Sequence, residues 1–150
     1  MTQVFVYHHV ADRLQAACGI VAAAVRQGKD FTLYTPDVEH ARLVDRLLWT
    51  LAPLSFIPHC QADAPLAAET PVLLAASAEH LAAIPASHSR QRLLNLGEEV
   101  PPGFERYASL IEIISGNPDE RQYARARIRH YQSAGCALQY IDKSASVAGF

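Results

Sequence analysis

Seven histidines and three cysteines are the groups in this 150-residue chain most suited to metal or nucleophilic chemistry. His8-His9, His59-Cys60 and His88 are the imaginable ligands. Their spacing matches no known ligand frame, and adjacent histidines in a strand point to opposite faces, so no metal site is expected. Cys18, Cys60 and Cys136 lie far apart and form no CxxC pair. That suits a reducing compartment better than a disulfide scaffold. No GxSxG occurs, no Ser or Cys stands beside a recognisable base, and the carboxylates are scattered without a pair. Phosphate chemistry fares no better. The first apolar run leads into His8-His9-Val10-Ala11-Asp12, with no glycine to let backbone amides approach a phosphate. Neither GxGxxG nor GxxxxGKS/T is present, and Gly97, Gly103 and Gly116 are isolated. No cofactor and no catalytic residue is therefore expected. A nucleotide-binding or hydrolytic α/β domain with degenerate motifs stands as the alternative reading.

Two other patterns suit recognition. Arg121, Arg125 and Arg129 recur every four residues and so share one helix face. Ile128 borders that face, next to an apolar side formed by Ala124, Tyr131 and Ala134. Guanidinium groups beside apolar surface suit an acidic peptide with a hydrophobic end, although the same pattern also describes a solvated arginine face. Arg127 falls within the apolar side and must either pair internally or snorkel to water. The second pattern is LLWTLAPLSFIPH, residues 47–59, which holds the lone tryptophan, Trp49, with Leu51, Leu54, Phe56 and Ile57 around two prolines. Pro53 and Pro58 forbid a continuous helix and do not suit a central strand. So apolar a loop either caps the core or meets another protein.

These side chains need a scaffold, and its pattern is legible. Val4-Phe5-Val6-Tyr7 has strand propensity. Asp12 caps a helix whose stripe runs Leu14, Ala17, Cys18, Val21, Ala22 and Val25, and Gly28 stops it. Phe31-Thr32-Leu33-Tyr34 completes a βαβ unit, whose strands should be parallel. Pro36-Asp37 opens a second helix with Ala41, Val44 and Leu48 inward. Residues 61–70 read as a surface connection, Val72-Leu73-Leu74-Ala75 as a buried strand, and 77–89 as a short helical turn with Pro85. Residues 93–96 and 110–114 read as further strands, with a helical turn near Phe104. In the last helix Asn117 is the N-cap, Pro118 takes N1, Asp119 and Glu120 complement the dipole, and Gly135 is the stop. Residues 136–141 form a final strand. The expected fold is a single α/β domain over residues 1–143, a mainly parallel open sheet with helices on both faces, followed by a loose tail at 144–150.

Composition narrows the functional classes. Hydrophobic residues make up 50% and charged residues 19%, ordinary for a globular protein of this size. A net charge of −2 gives no basis for tight direct nucleic-acid binding. No run reaches about 18 uninterrupted apolar residues, and the opening MTQVFVYHH lacks signal-peptide character, so a cytoplasmic protein without a membrane span is expected.

Taken together, the VFVY strand, the helix ending in RQGK, the ARLVDRLLW helix, SFIPH, RLLNL and ARARIRHYQSAG resemble the chi-subunit family of bacterial DNA polymerase III, over nearly the whole chain. The resemblance implies a nucleotide-binding-like topology without phosphate loops. It implies an adaptor rather than an enzyme, touching DNA only indirectly. The partners it implies are the psi subunit of the clamp loader and the acidic C-terminal tail of single-stranded-DNA-binding protein, which ends in an aromatic residue. By position, Arg125 matches the family's key tail-binding arginine, and Arg121 matches another basic position. Arg129 and Ile128 follow from helix geometry; the family often has an aromatic residue where this chain has Ile128. For psi, the resemblance implies Trp49 and Phe56 as anchors, with Leu48, Ile57 and Pro58 around them.

Overall fold

A computed structural model describes residues 2–50, 57–84 and 91–143. In chain order these form β1 (Gln3–Val10), α1 (Arg13–Arg26), β2 (Phe31–Tyr34), α2 (Val38–Thr50), β3 (His59–Gln61), β4 (Val72–Ala75), α3 (Ala78–Ala82), β5 (Arg92–Asn95), β6 (Ser109–Ser115), α4 (Pro118–Ser133) and β7 (Ala137–Asp142). Single 3₁₀ turns lie at Ala67–Glu69 and Phe104–Arg106. The strands make one sheet in the order β3-β4-β2-β5-β6-β1-β7, and every pairing is parallel.

Parallel strands are covered on both faces, which explains the near-continuous burial along β2, β4 and β5. Alternate residues of those strands separate into two cores. Phe31, Leu33, Val72, Leu74, Leu94 and Ile111 pack with Ala17, Val21, Val44 and Leu48 of α1 and α2. Val4, Val6, Leu73, Leu93 and Leu110 pack with Leu81, Phe104 and Tyr131 on the other face. The sheet is thus a two-sided platform, with α1 and α2 on one side and α3 and α4 on the other.

Local signals fix the helix ends. Asp12 accepts from the Gln15 amide at 3.0 Å, and Asp37 accepts from Glu39 and His40 at 2.9 and 3.2 Å. Asn117 accepts from Asp119 and Glu120 at 2.9 and 3.2 Å, and Pro118 occupies the first turn. Gly28 and Gly135 take φ of +77° and +80° just past α1 and α4, where a Cβ would be strained.

The main departure from the sequence expectation lies in residues 59–70. Residues 59–61 form an edge strand, in register with Val72, Leu73 and Leu74 of β4, and Ala62 and Ala67 are buried rather than on a surface connection. His-Cys-Gln has no strand pattern of its own; pairing with β4 imposes the geometry. Pro53, Phe56, Pro85, His88 and the tail at 144–150 lie outside the described residues. Among the described residues no helix is long and apolar enough to cross a membrane.

Candidate functional site

α4 begins where β6 ends, at Gly116-Asn117-Pro118, and lies against the sheet through Ala124, Arg127 and Tyr131. Arg121, Arg125 and Arg129 face outward and are exposed. None of their three side chains makes a hydrogen bond or ion pair among the described residues. At 1.5 Å per residue, the row covers about 12 Å of helix axis. Ile128 sits half-buried at its border, packed on the core that contains Phe104 and Tyr131. The Phe104 and Tyr131 rings meet edge-on at 5.2 Å, which gives that border a rigid floor. The surface therefore offers three unneutralised guanidinium groups next to an apolar side chain.

Arg127 answers the question that the sequence left open, because it pairs internally. Its side chain is 2% exposed. Nε lies 3.1 and 3.0 Å from the two carboxylate oxygens of Glu112, Nη2 donates to Oε1 at 2.9 Å, and Nη1 donates to the Glu98 carbonyl at 2.9 Å. Glu112 also accepts from Asn95 Nδ2 at 2.9 Å and from the Tyr131 hydroxyl at 2.6 Å. Arg13 Nη2 lies 3.9 Å away and donates to the Asn95 and Gly97 carbonyls at 3.2 and 3.1 Å. Burial, then the Glu112 charge, pushes the Tyr131 phenol up, so it stays a donor; burial lowers the Arg13 guanidinium. This cluster ties α1, β5, β6 and α4 together and is structural. Sequence reasoning missed it, yet a signal exists. Glu112 is the lone acid in LIEIIS, flanked by buried branched residues, and a charge there requires a partner.

Of the second surface, the described residues are Leu48 and Trp49 of α2 and Ile57 and Pro58 before β3. Trp49 is 56% exposed at the end of α2, with Val38 and Leu43 exposed on the same helix. Its ring meets His59 edge-on at 5.3 Å, and His59 is held by Asp45 at 2.9 Å and the Ile57 carbonyl at 2.8 Å. Pro58 is half-buried. Leu48 and Ile57 require a correction: at 1% and 4% exposure they belong to the core under α1 and α2 and offer no side-chain surface to a partner. Leu48 lies one turn beyond Val44 on the inner stripe, and the chain entering β3 turns Ile57 inward.

Two further places bear on nucleophile and phosphate chemistry. Burial, then the Asp12 charge, pushes the Cys18 thiol up to about 12, so it is no thiolate at neutral pH. The hollow of about 460 Å³ outside the ends of β1 and β6 is where open α/β sheets bind ligands, and Asp12, Glu120, Arg13 and His40 line it. The Asp12 and Asn117 side chains already accept from the first-turn amides of α1 and α4. One premise of the sequence reading does fail: His8 and His9 do not point apart, because the strand bulges there.

The family model described as DNA polymerase III chi subunit, HolC, matches residues 1–139. The chain is also similar to the DNA polymerase III subunit chi of Pseudomonas aeruginosa PAO1, with 35% identity over 127 residues, covering 85% of this chain and 84% of that protein.

Proposed function

The chain belongs to the DNA polymerase III chi-subunit family, and from that premise we propose that it is a non-catalytic adaptor of the bacterial replisome, working in the cytoplasm. One end of the adaptor is the outer face of α4. There Arg125, flanked by Arg121 and Arg129, holds the carboxylates of the acidic C-terminal tail of single-stranded-DNA-binding protein. Ile128 contacts the tail's terminal aromatic ring. The observation that carries this reading is the row of three exposed arginines whose side chains have no partner among the described residues, beside a half-buried isoleucine. Like charges four residues apart on a helix repel one another, and an anionic ligand relieves that repulsion. Guanidinium forks match carboxylates in shape as well as in charge.

The other end pairs with the psi subunit. Trp49, exposed at the end of α2, is its anchor, with Phe56 and Pro58 as further psi-binding residues. Trp49 belongs to α2 on one sheet face and the arginine row to α4 on the other, so both partners can be held at once. The protein then bridges the coated single strand to the clamp loader, and many tails on one oligomer raise the effective affinity of weak contacts.

Size-exclusion chromatography of the chain with psi and single-stranded-DNA-binding protein tests the bridge. A ternary complex is expected. Displacement of psi by the tail would show one shared surface and end the two-surface account.

A further inference from the structure

The end of β1 carries side chains that the adaptor role does not use. His8 stands in register with Ile114 of β6 on one side and Asp142 of β7 on the other. The β6 register then jumps to Val10, leaving His9 unmatched in a bulge. His9 has φ of +61°, the one positive φ outside glycine among the described residues. A regular strand would send the two rings to opposite faces. The left-handed residue cancels that alternation, and the imidazole centroids lie 4.6 Å apart. Asp142 Oδ1 is 3.0 Å from His9 Nδ1. One donor atom from each of His8, His9 and Asp142 falls within 4.8 Å of the others.

We propose that His8, His9 and Asp142 form a binding site for a divalent transition-metal ion of the zinc type. Two imidazole nitrogens and one carboxylate oxygen suit zinc, whereas calcium and magnesium call for oxygen ligands. Bonds of about 2.0–2.2 Å to a tetrahedral ion place donors about 3.3 Å apart. The His9–Asp142 pair is close to that spacing, and rotation of the half-exposed His8 ring closes the remaining two edges. The Tyr140 ring meets His8 edge-on at 6.2 Å and limits its swing. The left-handed backbone at His9 is strained for a residue with a Cβ, and ligation offsets that strain. Three protein donors leave the fourth position to water or to a donor from another molecule.

Calorimetric titration of zinc chloride into the whole chain tests the site. One ion per chain is expected, with millimolar magnesium failing to compete. His9→Gly removes a ligand while glycine accepts the same φ, so its metal-free melting temperature should be no lower than wild type. That variant and Asp142→Asn should each weaken zinc binding by about tenfold or more. Absence of binding by the wild type at about 1 mM zinc would overturn the proposal. Unchanged affinity in His9→Gly would also overturn it, by placing the ion elsewhere.

Discussion

Arg125 and Arg127 stand two positions apart on α4 and do opposite work. Arg127 is sealed against Glu112, with Tyr131 and Asn95 bound to the same carboxylate. Removing it strands a buried charge, so Arg127→Ala should lose about 3–5 kcal/mol in denaturant unfolding. The exposed Arg125 side chain makes no hydrogen bond or ion pair among the described residues, and Arg125→Ala should stay within about 0.5 kcal/mol of wild type in the same measurement. If both variants unfolded alike, the division between inner and outer arginines would be wrong. The outer row was readable from its spacing alone. The inner arginine was visible only as an anomaly on the helical wheel, because its partner lies 15 residues away in sequence on another element. Trp49 belongs to this scale as well. Trp49→Ala should weaken psi binding in a pull-down and leave tail binding intact, since aromatic anchors carry much of an interface.

Helix ends and strands differ in how far local sequence specifies them. Asn117-Pro118-Asp119-Glu120 sets the start of α4 through a side-chain cap, a fixed φ and the helix dipole, all within four residues. Asn117→Ala should therefore lose about 1 kcal/mol of stability. α2 opens with Asp37, whose carboxyl the His40 amide holds below its ordinary range. Its contribution is thus present above the ordinary carboxylate pKa and lost as pH falls through the depressed value. In acid unfolding followed by circular dichroism, Asp37→Asn should shed that part of the pH dependence. β3 carries no such local instruction. His59–Gln61 becomes a strand by lying against β4, and the bulge at His9 arises from mismatch with β6. Both are properties of pairing, which a single segment does not reveal. The burial of Ile57 is of the same kind, because an apolar loop sequence does not say which of its residues turn inward, whereas Leu48 was readable from its place on the inner stripe of α2.

At the scale of the molecule, an all-parallel sheet separates two helical layers, and the two proposed partner surfaces lie in different layers. This is an arrangement for holding two proteins apart yet together, with the buried Arg13–Glu112–Arg127 cluster tying α1, β6 and α4 across the sheet. An interaction made by exposed guanidinium groups is screened by ions, so tail affinity should fall as salt rises, while psi pairing through apolar contacts should hold. Salt-independent tail binding would count against the arginine row. The central claim is met most directly by calorimetric titration of the C-terminal peptide of single-stranded-DNA-binding protein into wild type and Arg125→Ala at low salt. The account predicts saturable binding to wild type and its loss in a variant that melts at the wild-type temperature. Equal binding by both proteins, or none by the folded wild type, would contradict it.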